Sequence, residues 1–188
     1  MTQPKISEDQ LLEKLTEVFQ EHGYEGASLS LISDATGLGR ASLYHRYPGG
    51  KTDMALAVLD RAEQWLESHV LGPLSGPGRP KDRIRAMSRR LREFYDSGRR
   101  SCLLHTLAVG SPGDRIREHI ETSLRAWQAA MQEIARQAGH SRSEAQRRAS
   151  EALVRIQGSL VVSRGLGDNK PFTRALRELP DLLVGDGR

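Results

Sequence analysis

Apolar residues recur at three- and four-residue steps along almost the whole chain, the spacing that lines one side of an α-helix. Leu11, Leu12, Leu15, Val18 and Phe19 form the first such stripe. Ser7, with Gln10 three residues on, predicts a capping box at its start, and Gly23 predicts its stop. Ser28 is placed to cap a short second helix ending at Gly37. Gly39 opens a third through about Tyr47, and Pro48-Gly49-Gly50 breaks it. A fourth helix from Lys51 carries Met54, Val58, Ala62, Trp65 and Leu66. Residues 72–80 are rich in Gly and Pro and predict a linker whose Pro80 suits the first turn of the next helix.

Beyond it, Ile84, Met87, Leu91, Phe94 and Tyr95 mark a fifth helix, and residues 102–109 a short apolar segment. Ile116, Ile120, Leu124, Trp127, Met131, Ile134 and Ala138 mark a long helix stopped by Gly139. Ser141 and Glu144 predict a second capping box, opening a helix to about Gly165. Pro171 starts the last helix, with Phe172, Leu176 and Leu179 on one side. No run alternates with period two, so the expected class is all-α, with about nine helices.

Composition narrows the setting. No apolar stretch approaches the ~18–20 residues of a membrane span, so no membrane role is expected. Residues 1–5 lead straight into an acidic amphipathic segment, which predicts no signal peptide. The single cysteine, Cys102, excludes an internal disulfide framework and fits a reducing, cytoplasmic setting. The net charge is +4, but residues 1–70 hold six Lys/Arg against eleven Asp/Glu, while residues 79–100 hold nine against three. Contact with a polyanion must therefore be local. One basic patch stands out: residues 35–52 contain Arg40, His45, Arg46 and Lys51 and no acid. The surplus at 79–100 reads equally as a solvated face or as a preference for an acidic effector.

That basic patch coincides with two short helices joined at Gly37, the arrangement of a helix-turn-helix. Leu29, Ile32, Leu38, Leu43 and Tyr47 are spaced to tuck under the first helix, leaving Arg40, Ala41, Ser42, Tyr44 and His45 outward. The small residues opening the second of the pair would let it enter a major groove closely.

The stretch GYEGASLSLISDATGLGRASLYHRY, followed by GGK, resembles the TetR family of bacterial transcriptional repressors. The glycine before Leu38, the Leu43-Tyr44 pair, Tyr47 and Lys51 stand in the family's order over the first ~60 residues. Ser33 and Thr36 replace the family's usual alanines, and YPGGK is one residue longer than the commoner spacing, a form found in a subset of the family. CLLHTLAVGS, IQGSLVVSRGLGD and PFTRALRELPDLL extend the resemblance, more weakly, along the chain.

The resemblance implies a DNA-binding domain at residues 1–50 and an effector-binding and dimerisation domain at 51–188. Arg40 is the candidate for base-edge readout, since a guanidinium can bind guanine O6 and N7 together. Ser42 is a candidate for phosphate or base contact and Tyr44 for phosphate contact rather than core packing, His45 and Lys51 resemble the family's backbone clamps, and Ala41 permits close approach. Ser28 can cap its helix and hold a phosphate at once. Arg46 and Ser30 are weaker candidates for the same contacts and read equally as solvated.

In the second domain, Ala152, Gly158, Ser159 and Ser163 lie among Leu153, Ile156, Leu160 and Val161, so two helices could approach closely there. With Phe172, Leu176, Leu179 and Leu183 they predict a four-helix homodimer interface. Phe94, Tyr95, Cys102, Leu104, His105, Leu107, Trp127 and Met131 are the effector-pocket candidates, any of which also reads as plain core. Cys102 and His105 lie three apart, but two ligands without a third make no zinc site, and neither metal nor cofactor is expected. The expected function is a non-enzymatic, ligand-responsive repressor binding double-stranded inverted-repeat DNA as a homodimer and released by a small-molecule effector. The rival is a helical small-molecule-binding protein or enzyme whose helix-turn-helix is only structural.

Overall fold

A computed structural model describes residues 6–185, so the opening segment on which the signal-peptide expectation rests lies outside the described residues. Among the described residues there are nine α-helices and no strand. They are α1 (Glu8–Gly26), α2 (Leu29–Thr36), α3 (Arg40–Arg46), α4 (Lys51–Leu66), α5 (Pro80–Phe94), α6 (Leu103–Ala108), α7 (Asp114–Gln137), α8 (Arg142–Leu166) and α9 (Lys170–Val184). The chain divides into two compact units. Unit 1 takes the chain up to Glu63 together with Leu103–Glu121, and unit 2 takes Gln64–Cys102 and everything from Thr122 on.

In unit 1 the Ser7 capping box forms as its spacing predicts. The Gln10 N–H donates to Ser7 Oγ at 3.2 Å, and the Ser7 N–H donates to Gln10 Oε1 at 3.1 Å. Gly23 kinks α1 rather than ending it, and the helix resumes to Gly26. The α1 stripe of Leu11, Leu15, Val18 and Phe19 is buried, and α1 packs on α2 and α6. Ile32 of α2 and Leu43 of α3 are buried as expected, while Leu29 and Leu38 are only half-buried. Further along, His119 of α7 sits between two α4 carboxylates, with Nε2 3.1 Å from Glu63 and Nδ1 3.7 Å from Asp60.

In unit 2, residues 72–75 of the expected linker form a 3-10 turn, and Pro80 opens α5. α9 packs on both α8 and α5. A tight reversal after α5 runs through Asp96, Ser97 and Gly98, all with positive φ. Gly98 is required twice over: its φ is +99°, and a Cβ there would lie 2.9 Å from that of Phe172. The Phe172 N–H donates to Ser163 Oγ at 3.0 Å, fastening the start of α9 to α8. Pro180 lies inside α9 and is buried, and the helix continues to Val184 despite the missing N–H.

Several residues expected at the dimer interface are core residues of the single chain. Ile156 and Leu160 of α8 and Phe172, Leu176 and Leu179 of α9 are all buried within the single chain. The reason is that α8, α9 and α5 consume one another's apolar stripes. Leu153 is half-buried and Gly158 is exposed. The apolar residues α8 turns outward are Val154, Val161, Val162 and Leu166, with Val154 and Leu166 about 70% exposed (70% and 69%).

Only half of the second capping box forms. Ser141 Oγ accepts from the Glu144 N–H at 3.2 Å, but the Glu144 carboxylate turns to Arg147 and Arg148, each at 2.7 Å. Arg147 first, then Arg148, draw the Glu144 carboxyl down from 4.5 to about 2. A depressed carboxyl stabilises the fold above its unfolded value and loses that contribution as pH falls through the folded one. The stability advantage of the native chain over Glu144→Gln should therefore be full above pH 4.5 and shrink toward zero by about pH 2. Urea midpoints of both proteins across that range check this.

Candidate nucleic-acid interface

The α2–α3 turn is built from short-range hydrogen bonds. Ser28 Oγ caps α2 by accepting from the Leu31 N–H at 3.2 Å. Gly37 closes α2 in the left-handed conformation, its N–H donating to the Ser33 carbonyl at 2.8 Å. The two residues that depart from alanine lace this turn. Ser33 Oγ donates to the Leu38 carbonyl at 2.6 Å. Thr36 Oγ1 donates to the Ile32 carbonyl at 2.7 Å and accepts from the Leu38 N–H at 3.3 Å. Both hydroxyls thus satisfy turn groups that an alanine would leave to water.

α3 then divides cleanly. Leu43 and the following Tyr47 are buried, whereas Arg40, Ala41, Ser42, Tyr44 and His45 are all exposed. Gly39 caps α3 without a side chain. Arg40 Nη2 donates to Ser30 Oγ at 3.2 Å, so Ser30 positions the guanidinium. Tyr44 is 46% exposed, and its ring edges against the turn before α4, where a Cβ on Gly50 would come within 3.2 Å of Tyr44 Cε1.

Arg46 and Tyr47 anchor the other end. Arg46 Nη1 donates to Glu8 Oε2 at 3.1 Å, and the Tyr47 hydroxyl donates to Glu8 Oε1 at 2.9 Å. Burial, then the bond to Glu8, raise the Tyr47 hydroxyl well above its ordinary value, so it stays a donor. Arg46 is therefore a brace, not a solvated side chain.

Lys51 is half-buried. Its Nζ donates to the Tyr24 carbonyl at 2.7 Å and lies 4.4 Å from the centre of the Tyr24 ring. Tyr24 in turn hydrogen-bonds Thr52 at 2.9 Å. Asp53 accepts from the Gly49 N–H at 2.7 Å and from Arg115 at 2.9 Å, and these two partners, Gly49 first, lower its carboxyl. Ser28, Arg40 and the exposed α3 residues thus share unit 1 with Lys51, which is committed to holding α1 against α4.

The effector-pocket candidates do not fall in one unit. Phe94, Tyr95, Cys102, Trp127 and Met131 belong to unit 2, and Leu104, His105 and Leu107 to unit 1. Phe94 and Tyr95 belong to an aromatic row that spacing did not reveal. Trp65 stacks on His69 (4.6 Å) and on Phe94 (4.7 Å), Phe94 meets Tyr95 edge-on (4.9 Å), and Tyr95 meets Phe172 edge-on (5.8 Å). The Tyr95 hydroxyl donates to Cys102 Sγ at 3.5 Å. Cys102 is buried and His105 exposed.

An all-helical chain with a braced helix-turn-helix and a second helical unit defines a class, the two-part DNA-binding regulators. Comparison with known proteins agrees. Residues 11–58 match the bacterial regulatory proteins of the tetR family, and residues 80–178 match the C-terminal domain of LmrA/YxaF-like transcriptional regulators. The HTH-type transcriptional regulator LmrA of Bacillus subtilis (strain 168) is 25% identical over 186 residues, covering 94% of this chain and 96% of LmrA. YxaF, an uncharacterized HTH-type transcriptional regulator of the same organism, is 21% identical over 191 residues and is covered in full.

Among solved structures, a TetR transcriptional regulator from Legionella pneumophila superimposes with a TM-score of 0.82 at 18% identity, over 95% of this chain and 97% of that one. A cysteine mutant of CifR, a TetR family regulator solved with 26 bp operator DNA, gives 0.75 at 19% identity, over 95% and 98%. The chain belongs to the TetR family of transcriptional regulators, in its LmrA/YxaF-like group. No helix among the described residues is long and apolar enough to cross a membrane.

Proposed function

We propose that the protein is a homodimeric repressor that binds an inverted-repeat operator through α3 and is released by a small-molecule effector. The observation that carries this reading is the division of α3. Leu43 and Tyr47 lock it inward, and Arg40, Ala41, Ser42, Tyr44 and His45 stand free on the other side. In the groove, Arg40 reads a base edge, while Ser42, Tyr44 and His45 contact bases or phosphates and Ser28 offers the capped start of α2 to the backbone. Lys51 acts mainly by fixing α1, with its phosphate role secondary. On this reading residues 1–50 bind DNA, and residues 51–188 dimerise and receive the effector, whose binding wall in unit 2 includes Phe94, Tyr95, Trp127 and Met131. The operator complex of CifR supports DNA binding by this fold.

The test is a mobility shift on the DNA flanking the protein's own gene, at two salt concentrations and with competitor DNA. A specific complex that weakens with salt is expected, because counterions are released from each contacted phosphate. A folded, ligand-free protein that binds no DNA specifically would overturn the reading.

The dimer surface is assigned to the outward side of α8. Val154, Gly158, Val161 and Gly165 follow one another at helical steps, and a Cβ on either glycine would meet nothing within 4 Å. This strip can accept a second copy closely. Val161→Glu should shift the sedimenting species from dimer to monomer without loss of helicity. An unchanged mass would place the interface elsewhere.

A further inference from the structure

The basic surplus of residues 79–100 has a definite destination in unit 2. On α5, Arg85, Arg89 and Arg92 follow at four- and three-residue steps and, with Ser88 beside Arg89, line a groove of about 350 Å3. α9 closes it with Arg177 over a floor that includes Leu176 and Pro180. Among the described residues, no carboxylate lines the groove.

Other arginines of α5 have partners. Arg83 reaches the Leu74 carbonyl and Gln137, and Arg90 pairs with Glu93 at 3.0 Å. Within the groove, Arg85 pairs with Asp82 at 2.9 Å, but Arg89 and Arg92 make no ion pair among the described residues. Arg177 lies beside Glu178, whose carboxylate is already bonded to Arg174 at 2.8 Å and Arg155 at 3.4 Å. Like charges one helical turn apart repel, and an anion lying across the row would relieve that repulsion. The Ser88 hydroxyl adds a second, independent sign, being buried without a hydrogen-bond partner.

We propose that this groove binds a small phosphate-bearing ligand carrying at least two negative charges, with a diphosphate as the matching unit. Guanidiniums approach from two helices, so the ligand must offer oxygens in several directions. A planar carboxylate is filled by a single guanidinium fork, whereas tetrahedral phosphate oxygens can serve several. The volume suits a small molecule, the leucine and proline floor can receive its organic part, and Ser88 gains a partner. This site is separate from the operator contact of α3 and does not depend on it.

Inorganic pyrophosphate is the probe. Thermal unfolding and calorimetric titration of the full chain, at constant ionic strength, would compare wild type, Arg89→Gln/Arg92→Gln and Ser88→Ala. The wild-type Tm should rise saturably, by about 3–6 °C at about ten times the dissociation constant. The double variant should bind at least about tenfold more weakly, and Ser88→Ala about fivefold. Both should keep their helicity and bind DNA as wild type does. Citrate at equal ionic strength should bind more weakly than pyrophosphate.

A wild type without a saturable response, a double variant that responds equally, or citrate matching pyrophosphate would each overturn the proposal. So would a double variant that loses duplex DNA while wild type ignores pyrophosphate, which would make the groove a nucleic-acid contact.

Discussion

Phe172→Ala should destabilise the protein by about 3–5 kcal/mol, the range for removing a fully buried phenylalanine from a packed core. Phe172 is 0% exposed and meets the Tyr95 ring edge-on at 5.8 Å. Its Cβ also fills the space that Gly98 leaves open. The backbone around it is fixed from both sides, by the Ser163 hydroxyl and by the positive-φ reversal at residues 96–98. The site therefore cannot collapse onto the void, which puts the loss toward the upper end of that range. A thermal scan should show Tm falling by about 10 °C or more. Phe172→Leu should recover most of the loss. A fall of only a degree or two would mean that α9 is not locked at this point.

Arg40→Ala should weaken operator binding by about 1–3 kcal/mol, roughly five- to 150-fold, with no measurable change in Tm. Its side-chain hydrogen bond to the exposed Ser30 hydroxyl contributes little to the fold. Arg46→Ala is the internal control, because it lies in the same helix but is spent on Glu8 at 3.1 Å. It should lower stability slightly and leave sequence preference intact. Arg40→Lys keeps the charge without the two-pronged donor, so nonspecific affinity and its salt dependence should persist while discrimination falls. Equal loss of specific and nonspecific binding in Arg40→Ala would make Arg40 a phosphate contact instead.

The elements and the α3 face could be read from the chain because their signals are local. Ser7 with Gln10, Ser28, Gly37 and Gly39 each act within one turn of where they stand, and each sits where its spacing placed it. The hydroxyls of Ser33 and Thr36 looked like simple replacements for alanine, since nothing in spacing shows that they bond across the turn. The surface a second copy would meet was not legible for a different reason. Helical periodicity shows which side of α8 or α9 is apolar, but not whether the chain itself or a second copy covers it. Ile156, Leu160, Phe172 and Leu179 were covered from within, and the outward strip was left to Val154, Val161 and Leu166 among glycines. Pro180 likewise gave no hint that α9 would run through it. The aromatic row escaped because Trp65, Phe94 and Phe172 come from three distant segments.

Cys102 is the only thiol in the chain, is 4% exposed, and accepts a hydrogen bond from a fully buried tyrosine. A thiol reagent can reach it only when that region of unit 2 opens. Its alkylation rate in excess reagent is then the reactivity of a free thiol multiplied by the fraction of molecules open at any moment. The protein therefore carries a single-site clock of its own breathing, readable by mass without any introduced label, and a molecule that tightens unit 2 will slow that clock in proportion to how firmly it holds the region shut.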